Sequence, residues 1–301
     1  MAGGRRIVVF GDVIDDIVVV PHGPVIVDDD TPSSVRHRAG GSAANAAAWM
    51  ASVGAEVDFV GLVAAEDIGR HSELLAAAGV TPHLGAHPSL PTGAIVVIVD
   101  QQNRTMLTER GANAELDPDA VSDDLLADAR VLHFSAYSIF DAADLDAYRR
   151  MILRATAHGV TVSVDPGSAR CLARFGVERF LRLIDGVSIL FPNLEEGRIL
   201  TGRGDPGEIV SALSARFELV ALTLGETGAL VGRRGAEPLR TAAIDTSILD
   251  STGAGDAFAA GFLASWAADG PAGADVAAAA AAGVRLAAQA VSVIGGRPRA
   301  R

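Results

Sequence analysis

The feature that most constrains the fold is a regular alternation of strand-like and helix-like stretches beyond Asp117. Helical patterns at 120–127, 142–157, 177–183 and 207–215 are followed in turn by short apolar runs at 131–134, 160–164, 187–191 and 219–224. Strands separated by helices of this length form a mostly parallel sheet with both faces covered. The N-terminal part carries the same rhythm. Residues 5–10 read as a buried strand ended by Gly11-Asp12, 43–53 as a helix closing at Gly54, 57–62 as a strand and 68–78 as a helix closing at Gly79. Two β-rich stretches break this rhythm. At about 13–38 the pieces 17–20 and 24–27 lie among prolines. At about 92–110, runs at 92–99 and 104–108 flank Asp100-Gln101-Gln102-Asn103 as a hairpin. With no helices beside them, these stretches are expected to pair as a small separate sheet, a lid. No repeat or linker divides the chain, so 1–301 is expected to be one α/β domain with an inserted lid.

Composition removes several function classes. A net charge of −12 argues against general nucleic-acid binding. Cys171 is the sole cysteine, which suits a reducing, cytoplasmic setting. No signal-like N-terminus is seen, and the Ala-rich stretch 276–293, interrupted by Arg285 and Gln289, reads as a packed helix rather than a membrane span. The chain has no lysine, so its 25 basic residues are all arginine. A phosphate site here must therefore use backbone N–H groups, arginine or a metal rather than a phosphate-binding lysine.

Asp250-Ser251-Thr252-Gly253-Ala254-Gly255-Asp256 supplies such a backbone. Small residues running into a helix start gather unpaired N–H groups and the positive dipole end at one spot, which attracts phosphate. Asp256 is then either a base beside that phosphate or an acid that merely stabilises the helix start. Other polar residues fall at strand ends, where ligands of parallel sheets bind: Asp12, Asp16, Asp165, Asn193, Thr223 and Gly225. Asn193 and Glu196 read equally well as a capping box or as a polar pair holding metal-bound water. Asp28-Asp29-Asp30 reads as a solvated turn. Pro82 and Gly85 place His83 and His87 in a loop, with no companion ligands for zinc. No Gly-x-Gly-x-x-Gly follows the first strand, which argues against a dinucleotide site.

Over nearly its full length the chain resembles the ribokinase (PfkB-type) family of carbohydrate and nucleoside kinases. The likeness rests on Gly40-Gly41-Ser42-Ala43-Ala44-Asn45-Ala46-Ala47 continuing through Glu66-Asp67-Ile68-Gly69, on Asn193-Leu194-Glu195-Glu196, on Thr223-Leu224-Gly225 with Gly228, and on Asp250 to Asp256. It implies a three-layer α/β sandwich with a mostly parallel central sheet and a small β-sheet lid. It also implies ATP-dependent phosphorylation of a hydroxymethyl group on a sugar or nucleoside. Asp256 would be the general base, with Gly253, Ala254 and Gly255 as the anion hole. Asp16, Gly41, Ser42 and Asn45 would bind the acceptor, and Asn193, Thr223, Gly225 and Gly228 the nucleotide. Glu196 would help place Mg²⁺, and Asp250 matches a ligand position for a monovalent cation such as K⁺. The chain departs from ribokinases proper at Ser42, where they carry lysine, at Ile14, where they carry asparagine, and near Ser135, where a ribose-binding glutamate is expected. Tyr137 and Phe140 read either as a wall for a base or as packing, and Arg170 either as an anion contact or as a surface residue. The alternative to a kinase is a non-catalytic sugar- or nucleoside-binding sensor that keeps the fold. Free lid edges allow either a homodimer through the lid or a lid covered within one chain.

Overall fold

The structure is a computed structural model in which residues 6–100, 103–140, 142–269 and 273–298 are described. Strand β1 (Arg6–Phe10) opens the chain and is followed by β2 (Ile14–Pro21), β3 (Ser33–Gly40) and helix α1 (Ser42–Ser52). Next come β4 (Val57–Ala64), α2 (Ile68–Ala77), β5 (Thr81–His87), β6 (Gly93–Asp100) and β7 (Asn103–Glu109). The alternating part comprises α3 (Asp123–Ala127), β8 (Ala129–Ser135), α4 (Leu145–Ala157), β9 (Thr161–Asp165), α5 (Ala169–Phe175), α6 (Val177–Leu183) and β10 (Ile189–Leu190). It continues through α7 (Leu194–Thr201), α8 (Pro206–Ser214) and β11 (Leu219–Thr223). The chain then adds β12 (Ala229–Arg233), β13 (Leu239–Thr241), α9 (Ala254–Asp269) and α10 (Val276–Val291).

Among the described residues the main sheet has nine strands in the order β13-β12-β11-β10-β9-β8-β1-β4-β5. The pairings from β11 through β1 to β5 are parallel, and only β12 and β13 join antiparallel. Strand β1 lies inside this sheet, and its side chains alternate between two cores. Ile7 and Val9 pack with α1, α9 and α10, whereas Val8 and Phe10 pack with α4, α6 and α8. Each face of the sheet is thus buried, which is why the strand sequence is an unbroken apolar run. The Ala-rich α10 packs along α9, and among the described residues no helix is long and apolar enough to cross a membrane.

The two insertions form one four-stranded sheet, β3-β2-β6-β7, apart from the main sheet. Within it β2 pairs parallel with β6 and antiparallel with β3, with Asp16 opposite Arg38 and Ile95. Residues 24–27 are not a strand; the partner of β2 is instead the polar stretch 33–40. Gly23, Pro24 and the adjacent Asp28-Asp29-Asp30 favour a turn over the local β-propensity of Val25-Ile26-Val27. Gln101 and Gln102 of the expected hairpin turn, and Arg5 of the first expected strand, lie outside the described residues. His83 and His87 are not in a loop. They lie in β5, an edge strand, where Pro82 is tolerated because one side of the strand has no partner. Helix α5 and the β12–β13 extension are further elements that periodicity did not reveal. The helix expected at 120–127 starts only at Asp123, capped by Ser122, and that expected at 142–157 starts at Leu145, capped by Asp144.

Candidate active site

Three chain segments meet at the carboxyl ends of β1 and β9. The first is the turn from β1 into the lid. There the Asp12 carboxylate accepts N–H bonds from Ser42 (2.9 Å) and Ala43 (3.2 Å), so a residue from β1 caps the start of α1. Gly41 enters that helix at φ 94°, and a Cβ on it would lie 2.4 Å from the Asp12 carbonyl oxygen, so no other residue fits. The buried Asn113 side chain fixes the same turn by bonding both the N–H and the C=O of Val13, at 3.1 and 2.8 Å.

The second segment is the start of α9. Gly253 adopts φ 76° and packs so closely on Gly296 that a Cβ would lie 2.7 Å from the Gly296 carbonyl oxygen. Asp256 falls in the first turn of α9, facing α1. Its Oδ1 accepts from the Ser42 hydroxyl at 2.7 Å, and its Oδ2 accepts from the Asn45 amide at 3.2 Å. Burial, then the charge of Asp165, pushes its pKa up to about 8, against the lowering effect of the two hydrogen bonds.

The third segment joins β9 and α7. Asp165 ends β9 with Oδ1 accepting from the Gly167 N–H at 2.7 Å. Asn193 and Glu196 form a reciprocal capping box. The Asn193 N–H donates to Glu196 Oε2 at 2.8 Å, and the Glu196 N–H donates to Asn193 Oδ1 at 2.9 Å. Burial raises the Glu196 pKa, and the nearby Asp165 raises it further; burial likewise raises that of Asp165. The capping reading is therefore realised, and it presents a buried acid to a second acid.

A cavity of about 340 Å³ lies between these segments, lined by Ser42, Asp165, Glu196, Gly253, Gly255 and Asp256 among others. Its lining carries three carboxylates and no basic side chain. The start of α9 borders it, where first-turn N–H groups have no partner within the helix. A second cavity of about 660 Å³ adjoins it through Thr223, Ser251, Ala254, Gly255 and Phe258. That space is a mostly apolar slot between the Gly225–Gly228 turn, Ile244 and Ile248, and the α10 residues Val284, Ala287 and Val291. An anion-attracting helix start thus divides a mostly apolar slot from a carboxylate.

On the lid side, Asp16 on β2 lies over Gly40, whose missing side chain makes room for it: a Cβ there would be 2.4 Å from the carboxylate oxygens. Among the described residues nothing donates a hydrogen bond to the Asp16 carboxylate, and burial pushes its pKa up to about 6 against the opposing charge of Arg297. Its neighbour Asp15 is held by two bonds from Arg70, at 2.8 and 2.6 Å, and Arg70 also bonds Asp67. Asp250 lies outside both cavities. Its oxygens accept from the N–H groups of Thr252 and Gly295, each at 2.9 Å, and so join the loop before α9 to the C-terminal segment.

The structure therefore gathers Ser42, Asn45 and Asp256 into one contact set, and Asn193, Glu196, Thr223, Gly253, Ala254 and Gly255 around the adjoining cavities. Gly225 and Gly228 line the apolar slot. Gly41 acts by shaping the backbone, and Asp16 faces the site from the lid. Tyr137 lines the carboxylate cavity and also stacks edge-on against Phe140, which continues into Phe175 and Phe180. His83 and His87 are each paired with an acid, Asp58 at 2.7 Å and Glu115 at 2.9 Å. Sequence reasoning noted Asp12 and Asp165 only as strand-end polar residues and passed over Asn113 and Arg297. The last two carry no local motif; only the fold brings them to the site.

The family model described as "pfkB family carbohydrate kinase" matches residues 5–300. A ribokinase from Haemophilus influenzae is 28% identical over 271 residues, covering 86% of this chain and 84% of that protein. The bifunctional protein HldE from Stutzerimonas stutzeri is 31% identical over 280 residues, 87% of this chain but 56% of that protein. The crystal structure of adenosine kinase from Sinorhizobium meliloti superposes with a TM-score of 0.86 at 28% identity, covering 97% of this chain and 95% of that one.

Proposed function

The chain belongs to the pfkB family of carbohydrate kinases, and from that premise we propose that it moves the γ-phosphoryl group of ATP onto a hydroxymethyl group of a sugar or nucleoside. Asp256 is the general base. As the acceptor oxygen forms its bond to phosphorus and the bond to the ADP oxygen breaks, the hydroxyl proton passes to the Asp256 carboxylate. The N–H groups of Gly253, Ala254 and Gly255, where the chain enters α9, stabilise the charge spread over the phosphoryl oxygens. This suits a loose transition state, which gains more from positioning and fixed dipoles than from a strong nucleophile. The observation that carries the reading is the contact set at Asp256: a carboxylate with a donor on each oxygen, beside an open helix start.

Asp16 orients the acceptor from the lid with Gly41, Ser42 and Asn45. A half-buried carboxylate with no internal donor is best satisfied by substrate hydroxyls. The adenine and ribose of ATP occupy the apolar slot with Thr223, Gly225 and Gly228, and Asn193 borders the phosphates. Three carboxylates without a basic side chain suit a divalent cation rather than a bare polyphosphate. Mg²⁺ bound with ATP supplies the positive charge that lets phosphate and carboxylate oxygens share the cavity. Glu196, with Asn193 and Asp165, would hold it there. Asp250 would serve a monovalent cation such as K⁺. The lid exposes Val35 and Leu107 on one face of its sheet and Val20 and Met106 on the other, and we propose that a second copy pairs through this lid. The single cysteine and the need for ATP fit a cytoplasmic setting.

The test is ATP consumption across a panel of sugars, sugar acids and nucleosides, comparing wild type with Asp256→Asn. Loss of a general base costs roughly 10²–10⁴-fold in turnover. Unchanged turnover in Asp256→Asn would overturn the mechanism. Tight binding of one panel member with no ATP consumption would favour the sensor. Asp16→Ala is expected to raise KM for the acceptor while ATP affinity is retained, and equal loss of both would overturn the assignment of Asp16.

A further inference from the structure

The C-terminal segment after α10 is threaded through the site under close control. The Ile294 carbonyl accepts from Arg38 Nη1 at 3.0 Å, the Gly295 N–H donates to Asp250 Oδ2 at 2.9 Å, and the Gly296 carbonyl accepts from Trp49 Nε1 at 2.8 Å. Three successive residues are thus tied to β3, to the loop before α9 and to α1. The next residue, Arg297, is delivered with little freedom. Its Nη2 donates to the Gly40 carbonyl at 2.9 Å, and its Nε donates to Asn45 Oδ1 at 3.3 Å.

The bond to Asn45 decides which way that amide points. A guanidinium has donors only, so the Asn45 oxygen must face Arg297 and its NH₂ must face the opposite way. The opposite way is Asp256 Oδ2, at 3.2 Å. Gly296 closes the remaining space, since a Cβ there would lie 2.3 Å from Asn45 Nδ2. Were the amide to turn over, its oxygen would meet the carboxylate lone pair to lone pair, and Asp256 would keep only the Ser42 donor.

We propose that Arg297 is a positioning residue for the base Asp256, acting through Asn45 by fixing the amide orientation. This rests on the reading of Asp256 as the base. The relay runs from a segment at the far end of the chain to the reacting carboxylate, and Arg297 need not touch Asp256 itself. The charged groups around Asp256 make the orientation matter. Asp12 comes from the end of β1, Asp165 from the end of β9, and Glu196 lines the same cavity from α7. All three are acids, so a donor held on Oδ2 favours the ionised form of Asp256 against them. Arg297 faces acids too, and Asp16, Asp12 and Asp15 oppose the effect of burial, which brings its pKa down to about 10 and leaves it charged near neutral pH.

The test is a double-mutant cycle read in two ways. The Asp256 carboxyl is titrated by carbon-13 NMR, its resonance assigned by its loss in Asp256→Asn, in wild type, Arg297→Met, Asn45→Ala and the double variant. The same four proteins are assayed for turnover and for both KM values. Arg297→Met is expected to raise the Asp256 midpoint by about one pH unit and to lower kcat roughly tenfold with KM for ATP unchanged. Neither effect should be added to in the Asn45→Ala background, because contacts acting in series are not additive. Arg297→Lys keeps the charge but not the planar fork, and should give an intermediate midpoint in a folded protein even where the methionine variant folds poorly. An unmoved midpoint in folded variants, or losses that multiply in the double variant, would overturn the relay. A moved, non-additive midpoint alongside turnover that is indifferent to Asp256→Asn would support the relay and overturn the base.

Discussion

Asp256 is pulled in two directions, and pH separates them. As the proposed base the carboxylate must be ionised to accept a proton, yet burial and Asp165 hold its pKa near 8. For the free enzyme kcat/KM for the acceptor should therefore fall as pH drops below about 8, following protonation of the base. Stability runs the other way. The folded pKa lies above the ordinary aspartate value, so this group's contribution is fully present below about pH 4 and is lost as pH rises through about 8. Replacing Asp256 by Asn removes that loss. Thermal denaturation should thus show Asp256→Asn gaining on wild type between pH 5 and pH 8.5; a stability difference independent of pH would contradict the assigned shift.

The start of α9 illustrates what an element contributes beyond its residues. Its anion-attracting end exists because Gly253 takes a left-handed conformation against the Gly296 backbone. Gly253→Ala is expected to cost roughly 1–2 kcal/mol for the conformation alone, and more for the contact at 2.7 Å. Denaturant midpoints read the stability loss, and kcat should fall with it if Gly253 shapes the phosphate site. A stable variant with lowered activity would separate the two roles. At α7 the capping box does structural work while presenting Glu196. Asn193→Ala should therefore cost about 1 kcal/mol of stability as a lost cap, together with weaker ATP affinity, measured by denaturation and nucleotide titration. Elements of this kind were legible because an apolar strand and an amphipathic helix have different periods. The 33–40 strand was not, because Arg36 and His37 are exposed on a lid and Arg38 turns to the C-terminal segment, which leaves no apolar alternation. Strand β5 was hidden for a related reason: at a sheet edge Pro82 and Gly85 are tolerated, and they imitate a turn.

Across the whole molecule, the lid is tied to the main body at its root. Asp15 on β2 holds Arg70 on α2, and Arg70 holds Asp67, which accepts from Thr92 at 2.6 Å beside β6. The Arg70 side chain is about half exposed (47%), so this network should add little to global stability, within about 1 kcal/mol. Its effect is on where Asp16 stands. Arg70→Ala is expected to leave the melting temperature nearly unchanged and to raise KM for the acceptor several-fold with KM for ATP unaffected. Steady-state kinetics with each substrate varied would check this, and a matching rise in both KM values would contradict it.

By itself the sequence determined the layered α/β plan and the small-residue turn that leads into α9, because periodicity and small-residue turns act locally and do not depend on distant partners. It also brought forward Asp256, Asn45, Glu196 and Asp16 as site residues through motifs of fixed spacing. Only the tertiary structure decided that Asp12 caps α1, that Asn113 clamps Val13, and that Arg297 meets Asn45 from 252 positions away. Those contacts arise where the ends of β1 and β9, the start of α9 and the C-terminal segment converge. Their chemistry depends on distance and orientation between segments that no local pattern encodes.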